Sequence, residues 1–348
     1  MYLRHRLLPF FILALALFAV GCQQAPREYK RTLLVFGTLV NITLRDVDEE
    51  QAQKSFEQIR QDLELMHFLW HPWKRSPLGR TNVLLATGGW FSVNVSVLPL
   101  IEKGRDLARI TDNLFNPAIG RLIALWGYHQ DEPPTGPPPT KEAIEKLLAQ
   151  HPRMSDIEFD GLRIRSRNPA VQLDFGAMAK GFAIDRVIDY LRRQGIHNAI
   201  INAGGDLKVI GNHGDRPWRI GIRHPRKQGG VLAALDVNDG ESVFTSGDYE
   251  RFYIYQGRRY HHIIDPRTGY PADQTTSVTV IHTNAATADA AATALFVAGP
   301  SGWQAIARKM QLRYVMLVDK DGQIIMTPAM AKRIALTEID HKPIIVEP

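Results

Sequence analysis

The chain has 348 residues, 45% of them hydrophobic and 22% charged, enough to bury a large core as one big domain or two smaller ones. Its formal charge of +6 is spread without a Lys/Arg block or an RNA-binding aromatic signature, which argues against nucleic acid as a partner. A single cysteine excludes an internal disulfide framework and cysteine–histidine metal clusters.

At the N-terminus Arg4 and Arg6 precede an apolar run from Leu7 to Val20, and Gly21-Cys22 follow. A charged start, a short apolar stretch and a small residue at the cleavage point predict a signal peptide over 1–21, too short for a spanning helix. Ala19-Val-Gly-Cys22 resembles a bacterial lipobox, with Ala19 in place of the commoner Leu. The alternatives are an ordinary secretory signal or a lone buried thiol. On the lipobox reading Cys22 carries the lipid and residues 22–31 form a tether. The chain is then exported to the periplasmic face of the cell envelope and anchored to a membrane, inner or outer, without spanning it. Without the leader, 40 basic residues face 36 acidic ones, a net charge of +4.

The rest of the chain, 32–348, reads as one domain. Thr32–Arg45 is β-rich, with a bend or bulge at Gly37. Asp46 to about Leu69 has helical periodicity, ended by Trp70-His-Pro-Trp73. A second amphipathic helix is predicted over Ser96–Ile110, capped by Ser96, and a third begins at Pro117 and reaches Leu125-Trp-Gly127. A Pro-rich connection, 131–139, leads to a helix over Lys141–Gln150 capped by Thr140. Short strands follow at Leu162–Arg165, Val171–Phe175, Ala199–Asn202 and Leu207–Ile210, with one long helix, Met178–Gln194, among them. Phe252–Tyr255 and Arg259–Ile264 form a hairpin turning at Gln256-Gly257, and Asp265–Gly269 reads as a type I turn. Helices at about Ala285–Val297 and Gly302–Met310 precede a closing β-pair, Tyr314–Asp319 and Ile324–Thr327. Strands and helices do not alternate, so the expected class is α+β with mixed, largely antiparallel sheets and flanking helices, not a Rossmann fold.

The common nucleotide, hydrolase and zinc motifs are absent, and four constellations remain. In Leu173–Gly181 a strand ends at Asp174 and enters a helix beside Lys180, which reads either as a helix cap or as a phosphate cradle. Asn202-Ala-Gly-Gly-Asp206 makes a bend or lets a ligand approach the backbone. Asp289 and Thr293, four apart on an otherwise apolar helix, need a partner: a buried salt bridge, a cap or a hard cation such as Mg²⁺. In the hairpin, His261 and His262 point to opposite faces, so one of them faces a site, where an imidazole suits proton transfer.

Leu173–Gly181 with Ala183-Ile-Asp185, Asn202–Leu207, Trp218–Ile222, Thr245–Phe252, Tyr260–Pro271 and Ala288–Phe296 resemble, in order and spacing, the ApbE family of FAD:protein FMN transferases. The resemblance implies that FAD is the substrate and that Mg²⁺ is held by the main-chain oxygen of Ala177 and by Asp289 and Thr293. It implies flavin-nucleotide contacts at Asp174, Lys180 and Ile263, with Phe36 and Asn116 in the N-terminal half. It also implies that His262 is the base activating an acceptor threonine in a redox-complex subunit. FMN would be transferred to that hydroxyl and AMP released. The rival readings are an Mg²⁺-dependent FAD pyrophosphatase and a non-catalytic flavin-binding lipoprotein. Three segments depart from the family pattern: Phe36 where many members carry Met, Ser76-Pro-Leu78 before Asn82, and Phe115-Asn-Pro-Ala118.

Overall fold

The β-rich N-terminal stretch folds as a hairpin of β1 (Glu28–Val35) and β2 (Thr38–Arg45), turned at Phe36 and Gly37, both at positive φ (54° and 70°). Two such residues make the turn that matches strand twist, although a bulky aromatic rarely occupies the first position. The computed structural model describes residues 27–130, 132, 134–337 and 342–348; the leader, Cys22 and residues 22–26 of the expected tether lie outside the described residues. Residues 28–31, also expected in the tether, belong to β1 and pair with β2.

Helix α1 (Glu49–Leu69) starts at Asp48, whose Oδ1 accepts Gln51 N–H at 2.7 Å, and buries Ala52, Phe56, Ile59 and Leu63 against the hairpin. Helix α2 (Pro77–Leu85), capped by Ser76, was not legible from periodicity. After β3 (Phe91–Ser92), α3 (Leu98–Ile110) begins two residues past Ser96. Ser96 is therefore not its cap; the hydroxyl donates to Asn94 Oδ1 at 2.7 Å. Helix α4 (Gly120–Leu125) begins after Pro117 because the backbone there is committed elsewhere: Pro117 and Ala118 carbonyls accept Asp174 and Gln172 N–H at 2.8 and 3.2 Å. By the same bonds Val171–Phe175, expected as a strand, is an extended segment with one parallel bridge, Ile119–Gln172. Helix α5 (Lys141–Leu148), capped by Thr140, precedes β4 (Ile157–Asp160) and β5 (Arg163–Ser166).

Next come α6 (Ala179–Arg193), β6 (Asn198–Ala203), β7 (Asp206–Ile210), β8 (Trp218–Arg223), β9 (Val231–Val237) and β10 (Ser242–Gly247). The hairpin β11 (Phe252–Tyr255) and β12 (Arg258–His261) follows, then β13 (Thr275–His282) and the long α7 (Ala285–Lys309). The chain closes with β14 (Tyr314–Asp319), β15 (Ile324–Met326), α8 (Pro328–Ala331), β16 (Ile334–Leu336) and β17 (Ile344–Ile345). The two helices expected between residues 285 and 310 are the halves of α7, broken at Gly299 (φ 70°) before Pro300.

Among the described residues the main sheet has nine strands in the order β1-β2-β6-β7-β10-β13-β14-β15-β17, antiparallel except for β15–β17. The fold is thus α+β with a mixed, largely antiparallel sheet. Helices α1, α6 and α7 close one face over a core that includes Ile42, Ile201, Ile188 and Leu295. The sheet β16-β9-β8 covers part of the other face, with Trp218, Leu235 and Val237 packed on Val209, Val243 and Met316. The β11–β12 ribbon packs through Tyr260, and the segment after it through Ile264, onto Trp126, Tyr128 and Ile144 around α4 and α5.

Candidate active site

The approach to α6 is held by a buried amide. Asn82 Oδ1 accepts Leu173 N–H at 2.7 Å and its Nδ2 donates to Leu173 O at 2.9 Å, which fixes the backbone leading to Asp174. Asp174 does not cap α6, whose N-cap is Met178 with no side-chain bond; its Oδ1 accepts Gly176 N–H at 2.8 Å in the turn before the helix. Burial pushes this carboxyl upward, opposed by the Gly176 N–H and by the charge of Arg251.

Six residues on, Lys180 forms an ion pair with Asp206, at the glycine turn between β6 and β7. That turn is built by Gly204 and Gly205, both at positive φ; a Cβ at Gly204 would lie 2.4 Å from Thr38 Oγ1, so the turn sits directly against the β1–β2 tip. Asp206 Oδ1 also accepts Thr245 N–H at 3.0 Å. Burial works against the Lys180 ammonium, but Asp206 and Asp289 together hold it above its ordinary range.

Asp289 is buried on α7 and its Oδ2 accepts Gly181 N–H at 3.1 Å. Gly181 lies in the first turn of α6, just after the N-cap Met178, where backbone N–H groups have no acceptor within the helix. Asp289 accepts this one, and among the described residues no hydrogen bond reaches the Ala177 carbonyl. One turn along α7, Thr293 Oγ1 lies 3.1 Å from Ser246 Oγ at the end of β10. Burial pushes the Asp289 carboxyl up to about 7, with Asp206 adding to the effect and Lys180 opposing it. An unpartnered carbonyl, a carboxylate whose charged form lacks compensation, and a hydroxyl suit a hard dication. No group of three or more His, Cys, Asp or Glu able to hold a metal occurs among the described residues. A small protein donor set completed by phosphate oxygens is the arrangement Mg²⁺ favours.

The two histidines separate, although β12 ends at His261, short of the expected Ile264, and leaves His262 in the bend that follows. His261 is buried; its Nε2–H donates to Ala272 O at 2.8 Å and its ring packs edge-on to Phe296. His262 is half-buried and packs on Tyr128. Its Nδ1–H and its backbone N–H both donate to Arg251 O, at 3.2 and 3.1 Å. A carbonyl can only accept, so Nδ1 carries the proton and Nε2 keeps a lone pair. Burial, with the neighbouring His261 and the cations Arg251 and Lys180, pushes this imidazole down to about 3. It is neutral at every physiological pH.

Three expected residues sit differently. Ile263 is buried, with its N–H bonded to His261 Nδ1 and its carbonyl to Ala272 N–H. Asn116 donates to Pro152 O at 3.0 Å and accepts Ala118 N–H at 3.0 Å, so its amide holds the loop that pins Asp174. Phe36 stacks on Trp70 (6.4 Å) and meets His67 edge-on (5.4 Å), while Trp70 meets Phe182 on α6 at 5.6 Å. The hairpin tip thus joins an aromatic group beside the Gly181 turn.

Several residues in this region had no role assigned from sequence. Arg251 bridges the two halves, donating to the Gln130 carbonyl at 2.7 Å while its own carbonyl orients His262. Glu250 faces Arg223, at 3.1 Å, and Lys180; burial pushes its carboxyl up. Arg226 forms a two-pronged pair with Asp248 at 2.7 Å, clamping the segment that carries Thr245 and Ser246. Asp206 had one signal, the Gly-Gly-Asp turn; the others depend on partners too distant in sequence to be read there.

On an α+β scaffold, Asp289 and Thr293 on α7, the Ala177 carbonyl just before α6, Lys180 and His262 make up the candidate site. The ApbE family model matches residues 36–316, and the chain belongs to that family. An FAD:protein FMN transferase of Rhodobacter capsulatus is 42% identical over 311 residues, 89% of this chain. The match spans only 59% of that relative's length. FAD:protein FMN transferases of Klebsiella pneumoniae and Escherichia coli are 32% and 30% identical, covering 86% and 89% of this chain and 92% of each relative. These curated relatives are transferase enzymes. Among solved structures, the ApbE protein of Thermotoga maritima superimposes with a TM-score of 0.77 at 33% identity, covering 86% of this chain and 96% of that one. The flavin transferase ApbE of Vibrio cholerae gives 0.77 at 27% identity, covering 89% and 100%.

Proposed function

We propose that this chain is an FAD:protein FMN transferase that moves FMN from FAD to a threonine hydroxyl of a partner protein and releases AMP, with Mg²⁺ held by the Ala177 carbonyl, Asp289 and Thr293. The observation that carries the reading is the buried Asp289 carboxylate, which accepts the Gly181 N–H in the first turn of α6, four residues after an Ala177 carbonyl that no hydrogen bond reaches among the described residues. A dication bound there would neutralise charge developing on the pyrophosphate.

The chain's own groups supply the rest. Lys180 presents a charge held firmly in its protonated form, next to the start of α6, where backbone amides favour an anion. His262 keeps Nε2 unprotonated, in the form that accepts a proton from an incoming hydroxyl. Burial is the main cause of its low basicity, with His261 and the cations Arg251 and Lys180 adding to it; a bound pyrophosphate would offset the share of the cations. The hydroxyl oxygen attacks the FMN-side phosphorus, its proton passes to His262, and AMP leaves with the bridging oxygen.

The envelope location is part of the same proposal: export directed by residues 1–21 and lipid attachment at Cys22, supported by the charged start, the apolar run and the lipobox-like tetrad. Among the described residues no helix is long and apolar enough to cross a membrane. Cys22→Ser should move the protein from the membrane to the soluble envelope fraction; unchanged partitioning would remove the lipid from the account.

The enzymatic test is product analysis by chromatography with FAD, Mg²⁺ and an acceptor domain. Transfer predicts AMP in equal amount to flavin attached to the acceptor. AMP with an equal amount of free FMN would mean that water takes the place of the threonine, and unaltered FAD would contradict catalysis.

A further inference from the structure

Asp185, on α6, reaches across to the first turn of α7. Its Oδ1 accepts Ala285 N–H at 3.1 Å and Lys208 Nζ at 2.6 Å. Its Oδ2 accepts Ala286 N–H at 3.2 Å and Asn284 Nδ2 at 2.9 Å. Lys208, buried on β7, also donates to Thr283 O at 2.6 Å. The helix already has a local cap, since Asn284 Oδ1 accepts Thr287 N–H at 2.9 Å. The amides that a local cap leaves over could be met by water. They are met instead by a carboxylate of the helix that carries the opposing half of the site.

One turn back along α6 the two backbones touch. A Cβ on Gly181 would lie 2.3 Å from Ala285 O and 2.8 Å from Ala286 Cα, so only glycine permits this approach. The same residue sends its N–H to Asp289 Oδ2. Asp185 and Gly181 therefore fix α7 in rotation and height against α6. Asp289 lies one turn beyond Ala285, and Ala177 one turn before Gly181. A slip of one residue along α7 would rotate Asp289 by ~100° away from Gly181 and Ala177. Burying a Lys–Asp pair is a poor way to gain stability alone, because desolvation offsets most of the attraction.

We propose that Asp185, supported by Lys208, is a positioning residue for cation binding: it sets the α6–α7 register that brings Asp289 and Thr293 to the Ala177 carbonyl. This rests on the cation reading above. Neither residue is among the proposed ligands, and their effect is transmitted through Ala285, Ala286 and Gly181.

The test is Mn²⁺ binding to the full chain by titration calorimetry, alongside thermal unfolding and FAD binding without metal. Asp185→Asn places an amide donor against the Lys208 ammonium or the α7 amides. It should weaken Mn²⁺ about tenfold, the usual scale for groups that orient ligands, while metal-free FAD affinity is preserved. Transfer activity should recover as Mg²⁺ is raised. Lys208→Met keeps the carboxylate on both α7 amides and serves if the first variant does not fold; it should weaken Mn²⁺ by about threefold. Wild-type Mn²⁺ affinity in either folded variant overturns the proposal. Failure of the parent reading looks different: wild-type protein would then show no Mn²⁺ site that Asp289→Ala removes, and both inferences would fall.

Discussion

The α6–α7 corner and the aromatic group on the N-terminal half flank the same helix start but are built from different chemistry. In the corner, buried polar atoms are spoken for across the chain: Asp289 by Gly181, Lys180 by Asp206, Asp185 by four donors. In the aromatic group, Phe36 meets His67 at 5.4 Å and Trp70 at 6.4 Å, and Trp73 meets His129 at 5.6 Å, with Phe36 and Trp73 only half-buried. The first arrangement fixes charge and geometry, so its loss should remove chemistry. The second offers adaptable apolar area, so its loss should weaken binding and leave chemistry to run. The three departures from the family pattern, at Phe36, Ser76–Leu78 and Phe115–Ala118, all lie in the N-terminal half of the chain.

The largest effect should follow Asp289→Ala. It removes the only carboxylate in the proposed ligand set, and Mg²⁺-dependent turnover should fall by more than ~10²-fold, the scale for losing a group that stabilises transition-state charge. An unchanged steady-state rate would break the metal assignment.

Next in size, His262→Ala should slow transfer by ~10²–10⁴-fold, the range for a general base, while FAD affinity measured by flavin fluorescence holds. Parallel loss of both would make His262 a packing residue of the Tyr128 contact.

Phe36→Ala sharpens the contrast from the other side. Losing a stacked contact of ~0.5–1.5 kcal/mol should raise the FAD Kd by about two- to tenfold with kcat retained. A fall in kcat at saturating FAD would mean that the aromatic group orients the reacting phosphate as well.

The last prediction concerns stability rather than rate or affinity. Asp289 is held at about 7 in the fold, against ~4 for an ordinary carboxyl in the unfolded chain. The folded protein binds that proton more tightly, so the contribution is full at low pH and is lost as pH rises through about 7. Cation-free protein should therefore melt at lower temperature as pH climbs over this window, and Asp289→Asn should flatten the slope. Identical slopes would show that Asp289 does not titrate there.

Much of the corner was legible because its residues are anomalous where they stand. An aspartate among alanines on an apolar helix demands a partner, and a lysine after a strand-to-helix glycine turn suggests an anion. His261 and His262 do fall in different surroundings, although β12 ends between them. What could not be read was the partner in each case. Asp185 looks like an ordinary polar position on an amphipathic helix, and only the crossing at Gly181 shows that it caps a helix 100 residues away. Val171–Phe175 carries a strand's composition but is held by Asn82 and by the Pro117 and Ala118 carbonyls, so tertiary bonds replaced the expected ladder. Helix α2 was missed because its nine residues begin at a proline and contain a glycine, leaving too few turns for a periodic signal. Ser96 had the right identity for a cap but sits one residue before the N-cap position, Val97.

The central claim is that the Ala177–Asp289–Thr293 corner and His262 act together in moving flavin to a protein hydroxyl. The most direct measurement is in-gel flavin fluorescence of an acceptor domain after incubation with the full chain, FAD and Mg²⁺. A fluorescent acceptor band that survives denaturation, needs Mg²⁺, and is lost when the acceptor threonine is replaced by valine is the predicted result. FAD cleaved to FMN and AMP with the acceptor dark, or a labelled band that persists without divalent cation, would contradict it.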